Sequence, residues 1–381
     1  MKKLLRTNLL ILGAVVSIFL GVAIPFVVEF RYSKIDGDRS FDTATAPSDG
    51  KMVMHNYLME GKSLEERADD PKCKVADMPI YCFVREGSAV SRGSVGFSPS
   101  DHPGANHAEI VRKYTFNHQE ILQNEQKLRL DRKTAMPVPG SKTLSKTTVP
   151  GLVTTIKDSS TKQESFQATF QPHTEKKTYN FFDPLVEDST PAEFVEETTI
   201  DGVRVYVFRQ ITKGARLGRF YDGAEEGVEI EHPVETKTIE YEGELAGISL
   251  QGQAFHFYSQ EERKKLGFER TSDVWMDPYY AIDRTLFVEP HSGIIVDKKE
   301  RGGIYYAHSD EEAENIDLSE FSDYRSFYMG EFNWDETTVQ NALAEARPIA
   351  RSHFLASFAG WALLALATVL FITWIYLKRR V

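Results

Sequence analysis

Two uncharged apolar runs, one near each end, fix most of what this chain can become. Leu9–Val28 (LLILGAVVSIFLGVAIPFVV) holds 20 residues and Phe354–Leu377 (FLASFAGWALLALATVLFITWIYL) holds 24, neither with a charge. About 20 apolar residues in a helix cross the roughly 30 Å of bilayer hydrocarbon, so both runs predict transmembrane helices. Nothing between them qualifies. Lys2, Lys3 and Arg6 in the tail 1–8, and Lys378, Arg379 and Arg380 in the tail 378–381, place both termini in the cytoplasm by the positive-inside bias. Arg31, Arg347 and Arg351 weaken that bias without reversing it, so residues 29–353 are expected outside the cytoplasm. Gly21-Val22-Ala23 offers the small-x-small pattern of signal-peptide cleavage. The apolar run continues through Phe26, Val27 and Val28, however, and Pro25 sits just past that cut, so the segment reads as a retained span.

Small residues recur every four positions in both spans, at Gly13, Ser17 and Gly21 and at Ala356 and Gly360. Such a face lets helix backbones approach closely in lipid. It predicts that the two spans pack on each other or that two copies pair through it; the alternative is that Gly and Ala are simply frequent in spans.

Charge narrows the function of the part between. The chain has 45 Lys+Arg and 56 Asp+Glu; without the six basic tail residues the remainder carries −17. Nucleic acid is therefore not an expected partner, because phosphate binding needs a surplus of Lys and Arg. The lipid bilayer is the first expected partner, with anionic headgroups repelled except where a local basic patch overrides the net charge. With 27% charged and 41% hydrophobic residues, the central region has the composition of a folded body. Cys73 and Cys82 are too few for a four-cysteine zinc site and do not form a Cys-x-x-Cys pair. Outside the cytoplasm they predict a structural disulfide.

The central region reads as α+β and β-rich. Residues 29–50 form a polar tether, and Met52–Leu58 a first strand. His118–Lys133 has imperfect helical spacing at Ile121, Leu122, Leu128 and Leu130. The Pro- and Gly-rich stretch 134–151 is the expected internal boundary. Phe194–Ile200 and Val203–Ile211 flank Asp201-Gly202, a strong hairpin signal because a type I′ turn needs positive φ at both central residues. A second hairpin joins Thr285–Glu289 to Ile294–Asp297 through Pro290-His291-Ser292-Gly293. Thr236–Leu250 and Gln253–Tyr258 also read as strands. Ser259-Gln260-Glu261-Glu262 is a capping box opening a short helix through Leu266. Asp335 caps a helix through Ala346, with Pro348 kinking or restarting it. The expected architecture is a set of antiparallel hairpins, either an elongated lipid-holding barrel or a curved sheet, held at both ends by transmembrane helices.

Chemistry-bearing motifs are missing: the sequence has no Gly-x-Ser-x-Gly, His-Glu-x-x-His or Walker pattern, and no cofactor is implied. His102 and His107 suggest at most two metal ligands and read better as a solvated pair. Asp310, Glu311, Glu312, Glu314 and Asp317 form an acidic run without the oxygen-and-glycine pattern of a calcium loop. Aromatics are abundant, with 24 Phe, 16 Tyr and 4 Trp. Their plain role is core. The sharper expectation is that Tyr179, Phe181, Phe182, Tyr206, Phe208, Phe255 and Phe257 line an apolar cavity for an acyl chain.

Several segments together resemble an actinobacterial envelope family described as porin PorA-like, a domain of unknown function. They are Thr174–Tyr179, Phe182-Asp183-Pro184, Pro191–Phe194, Ile200–Val203 and Tyr206-Val207-Phe208. Val288-Glu289-Pro290-His291-Ser292-Gly293-Ile294-Ile295-Val296 is similar to that family's Val-Glu-Pro-x-Thr-Gly hairpin, with Ser292 where Thr is usual. The resemblance implies a plasma-membrane protein of mycolic-acid-bearing bacteria, linked with lipomannan and lipoarabinomannan assembly. It carries over no catalytic residues. The function expected from all of this is a non-enzymatic anchored module that binds a lipid or lipoglycan intermediate and presents it to envelope glycosyltransferases or transporters. The alternatives are a scaffold organising those glycosyltransferases, and an envelope hydrolase or transferase.

Overall fold

A computed structural model describes residues 2–149, 153–160, 165–186, 188–217, 228–229 and 249–379. Helix α1 (Lys2–Arg31) carries the first apolar run. The segment read as a polar tether instead contributes two strands, β1 (Arg39–Ala44) and β2 (Ser48–Val53), and the expected strand 52–58 ends in the short helix α2 (His55–Glu60). Three long strands follow, β3 (Val84–Pro99), β4 (Ala105–Phe116) and β5 (Gln119–Asp131), then β6 (Lys142–Val149) and β7 (Val153–Ser160).

The helix expected over 118–133 is thus a strand. Asn117 and His118 both have positive φ (48° and 68°) and turn β4 into β5 as a two-residue hairpin. Leu122, Asn124, Gln126, Leu128 and Leu130 then alternate inward with period two. Two polar members of that set disguised the alternation. The Pro- and Gly-rich stretch 134–151 holds a turn built on the Asp131 carboxylate and then β6, which pairs with β5 in the same sheet.

Next come β8 (Tyr179–Asp183), β9 (Asp188–Ile200), β10 (Val203–Arg216), β11 (Val228–Glu229) and β12 (Leu250–Gln253). Asp201 (φ 46°) and Gly202 (φ 77°) make the β9–β10 turn. Of the strand expected over 236–250, residues 236–248 lie outside the described residues. The strand expected over 253–258 is a helical turn, α3 (Ala254–Phe257): Gln253 and His256 cap each other, which overrides the β-propensity of the neighbouring aromatics. Helix α4 (Gln260–Leu266) opens on the Ser259/Glu262 capping box and closes on Gly267 at φ 76°. The chain ends with β13 (Asp273–Val288), β14 (Ile295–Ala307), α5 (Asp310–Glu314), β15 (Ser326–Glu331) and α6 (Glu336–Arg379). Asp335 accepts from Thr338 N at 2.7 Å, and α6 runs unbroken through Pro348 into the second apolar run.

All the strand pairs are antiparallel, in the order β11-β7-β6-β5-β4-β3-β2-β15-β14-β13-β10-β9-β8, with β1 on β3 and β12 on β13. The first and last parts of the body meet at β2–β15. This sheet is curled into a half-barrel. Phe97, Ile110 and Leu128 from β3–β5 share one buried cluster with Phe181, Phe208 and Leu286 from β8, β10 and β13, although those strands are far apart in the order. Glycine permits the tight passage of β14: a Cβ on Gly303 would stand 2.1 Å from the Tyr328 carbonyl oxygen. The first part of α6 lies on the outer face, where Leu343 and Ala346 pack on Val203, Val205, Ile294 and Val296. Burying these six side chains from both layers welds helix to sheet.

Candidate functional site in the curl and at the membrane exit

The inner face of the curl holds charge where alternation would place apolar residues. Arg112 sits between Ile110 and Tyr114 on β4, Arg284 between Ile282 and Leu286 on β13, and Lys298 and Glu300 follow on β14. Arg284 donates through Nη2 to Asp183 Oδ2 at 3.0 Å, through Nη1 to Gln210 Oε1 at 2.6 Å, and through Nε to Glu300. Lys298 Nζ donates to the second Glu300 oxygen at 2.7 Å. Tyr280 Oη and the Leu185 amide complete Asp183 at 2.9 and 3.0 Å. Asp183 and Glu300 are each 1% exposed, so these carboxylates depend on their partners. Burial works to raise the Glu300 pKa, but Lys298 and Arg284 outweigh it and bring it down to about 2. Burial opposes the Arg284 charge, yet Glu300 and Asp183 raise its pKa well above the usual guanidinium value. Burial lowers that of Lys298. A cavity of about 70 Å³ lies against Arg112, Arg284, Lys298 and Glu300.

The second feature lies where the apolar runs end. A cleft of about 630 Å³ is lined by Phe30, Arg31, Lys34, Arg132, Ile294 and Ile349 among others. Beside it the body is joined to both helices through histidines. Glu29 of α1 faces His173 Nδ1 at 3.2 Å and His353 Nδ1 of α6 at 3.7 Å. The His353 ring stacks on His291, with centroids 4.4 Å apart. His291 Nδ1 is 2.8 Å from Glu289 Oε1, and Glu289 also accepts from Ser292 N and Oγ at 2.8 and 2.6 Å. Burial works to raise the Glu289 pKa, but the hydrogen bonds from His291 and Ser292 pull it below the usual value. The Glu-Pro-His-Ser-Gly turn is therefore a joint between the sheet and the membrane-facing helices.

The residues singled out by sequence separate into groups. Tyr179, Phe181, Tyr206 and Phe208 pack with Phe166, Phe170 and Phe194, ring centroids 4.9–5.9 Å apart along the chain of contacts. Phe181 and Phe182 both line the 70 Å³ cavity. Phe257 belongs to a different buried cluster, and Phe255 stands under the Arg270 guanidinium at 4.8 Å. Cys73 and Cys82 form a buried disulfide. In the apolar helices, a Cβ on Gly13 would lie 3.4 Å from Leu370, and one on Gly360 only 2.8 Å from the Gly21 carbonyl oxygen. Ser17 and Ala356 are buried on α1 and α6 as well. Within the chain, the small-residue faces are turned to each other. Among the described residues no three His, Cys, Asp or Glu side chains gather as metal ligands. Of the acidic run, Asp310 accepts from Tyr279 Oη at 2.6 Å, and Glu312 accepts from Tyr258 Oη at 2.8 Å and from Arg325. Those residues hold α5 to the sheet.

Sequence reasoning missed both charged groupings. The histidines are separated by more than sixty residues or by a whole sheet, and spacing carries no sign of them. The inner charges did leave a mark: a charged residue at an inward parity position, as at Arg112 and Arg284.

A curled, charged-outside sheet joined to two helices apolar enough to span a bilayer defines a membrane-anchored β-rich protein. The outer face of β4 and β5 carries ion pairs such as Lys127–Glu109 at 3.1 Å and Lys113–Glu120 at 3.3 Å. A lipid-facing barrel carries an apolar band there instead. The chain belongs to the Porin PorA family, whose pattern spans residues 7–376. It is 25% identical over 335 residues to a Porin PorA of Corynebacterium resistens, covering 83% of this chain and 80% of that one. It is 27% identical over 330 residues to a Porin PorA of Corynebacterium amycolatum, covering 83% and 81%. These relatives bear the name of a pore protein and not of an enzyme.

Proposed function

We propose that the protein is a plasma-membrane module with cytoplasmic termini whose body, outside the cytoplasm, holds a lipid or lipoglycan intermediate for envelope enzymes or transporters. The observation that carries this reading is the 630 Å³ cleft at the exit of both helices. Its volume falls in the range of small-molecule sites, about 300–1,000 Å³. Phe30, Ile294 and Ile349 supply apolar walls for the upper part of a chain, and Arg31, Lys34 and Arg132 supply cations for a polar head. The same lining carries Asp36, Asp38 and Glu345, the last paired with Arg39 at 2.5 Å, so Arg31 and Lys34 at the helix end are the cations left to meet an anionic head.

The full chain, extracted in mild detergent and desalted, is expected to carry co-purified lipid by native mass spectrometry. The double reversal Arg31→Glu/Lys34→Glu should lower its occupancy at least about tenfold, two charge-assisted contacts being lost. A wild-type chain without bound lipid, or a reversal without effect, overturns the reading. The alternative of a scaffold organising envelope glycosyltransferases would have to use its surface or the outward sides of its helices, because Gly21 and Gly360 are already against each other.

A further inference from the structure

The interior charges of the curl do not balance. Arg112, Arg284 and Lys298 face the 70 Å³ cavity, whereas Asp183 and Glu300 are the carboxylates bonded into the network. Both carboxylates are taken up by Arg284, Lys298, Tyr280 and the Leu185 amide. Arg112 donates only to neutral acceptors, Gln126 Oε1 and the Gln167 carbonyl oxygen, each at 3.0 Å. Among the described residues it forms no ion pair. A guanidinium has five N–H donors, so two such bonds leave capacity for a further acceptor. Opposite it on β3 stands Gly93, and the cavity reaches Thr43 and Ser94 beyond. The side-chain Oε1 of Gln167, on the same wall, has no partner; an amide turned end for end would present its NH₂ there instead.

We propose that this cavity is an oxyanion site, taking a phosphate or carboxylate group that pairs with Arg112 and neutralises the excess positive charge. Seventy cubic ångströms is several times the space one water requires and accommodates a group of that size. Arg112 is half-buried and without a counter-charge, so it is incompletely solvated, and a charge-assisted, bidentate contact to an oxyanion is the strongest form of compensation. The site lies in the curl and not in the exit cleft, so it stands or falls independently of the proposed function. The same chemistry is offered by a free anion and by the head of an anionic lipid.

Trp334 lines the cavity and reports on it by fluorescence. The full chain in neutral detergent is titrated with inorganic phosphate, with dihexanoyl phosphatidic acid and with dihexanoyl phosphatidylcholine. Melting temperature is followed in parallel. Phosphate or phosphatidic acid should quench or shift Trp334 and raise the melting temperature. Arg112→Met should weaken that response on the order of 10- to 100-fold, and Arg112→Lys should keep most of it. Arg112→Met without anion removes an uncompensated cation but also strips Gln126 and the Gln167 carbonyl of their donor, so the control is that it keeps wild-type circular dichroism and a cooperative melt. That control separates a lost site from a lost fold. Tighter binding of phosphatidic acid than of phosphate assigns the site to a lipid head; equal binding assigns it to a free anion. No response to either anion, or an equal response from Arg112→Met, overturns the inference and leaves a water-filled cavity. Binding of phosphatidylcholine alone, indifferent to Arg112, also overturns it while leaving the lipid-holding cleft intact.

Discussion

Glu300→Gln tests whether the inner network holds the curl together. Glu300 is 1% exposed and takes Arg284 on one oxygen and Lys298 on the other, at 2.7 Å for the lysine. Glutamine keeps the shape but removes the charge and turns an NH₂ toward one of the two cations. At an effective dielectric of about 20, a pair at that distance is worth about 6 kcal/mol of Coulomb energy. Part of this is offset because the carboxylate no longer has to be desolvated. Breaking a buried pair from one side leaves a net loss of about 3–5 kcal/mol. At about 2–4 °C per kcal/mol for a body of this size, the melting temperature should fall by roughly 6–20 °C. Fluorescence-detected melting and urea unfolding of the detergent-solubilised chain measure it. Glu331→Gln is the control: its partner Arg301 is 35% exposed and Glu331 36%, so the loss should stay within about 1 kcal/mol. The double variant Arg112→Met/Glu300→Gln should recover part of the deficit, because the interior excess returns to one charge. An effect of Glu300→Gln no larger than that of the control would refute the reasoning.

Gly360→Leu should separate the apolar helices, since its Cβ alone would meet the Gly21 carbonyl oxygen at 2.8 Å and Pro25 Cγ at 2.9 Å; bismaleimide cross-linking between Gly13→Cys and Leu370→Cys should fall by at least about half. Replacing Cys73 and Cys82 by Ala opens a loop of nine residues and should cost about 2–3 kcal/mol in urea unfolding. His55, whose Nε2 lies 3.2 Å from Tyr306 Oη, has its pKa lowered by burial to about 4. The unfolded chain then binds the extra proton first, so stability is full above pH 6.5 and declines as pH falls toward 4, by no more than about 3 kcal/mol; His55→Gln should remove that slope. Glu300, with its pKa at about 2, acts in a lower window: its contribution is lost as pH falls from about 4.5 toward 2, and Glu300→Gln should flatten only that range.

What was readable in the sequence was what one strand or one helix decides alone. The apolar runs, the Asp201-Gly202 hairpin, the Ser259 capping box and the Asp335 cap are local, and each stands where expected. The β4–β5 hairpin was hidden for a reason that belongs to the site. Gln126 points inward to receive Arg112, so the strand lost its apolar alternation at the position where it serves the network. Arg284 illustrates the other limit. Its partners Asp183 and Gln210 are 101 and 74 residues away. Gln210 faces it in the β10–β13 register and Asp183 reaches it from β8, pairings that no local pattern encodes. The aromatic motifs were correctly seen as abundant, but parity alone did not tell which would share a cluster, and Phe257 fell to the other half of the body.

Helix α6 changes what double anchoring means mechanically. It has 44 residues, about 66 Å at 1.5 Å per residue, of which the apolar run Phe354–Leu377 uses about half. The preceding turns are fastened to β10 and β14 by Leu343 and Ala346 and reach the membrane level without a break at Pro348. On the other side, α1 ends at Arg31, and within four residues the Ile35 amide is bonded to the Arg132 carbonyl oxygen at 2.7 Å. Glu29 and His353 meet between the two helices. Neither end is a loose tether. A body clamped in this way cannot swing freely on its two apolar helices, so the cleft keeps one position relative to the helix ends. The proposed lipid-holding role needs such a fixed geometry, because a freely swinging domain would present its cleft to the helix ends at no constant distance.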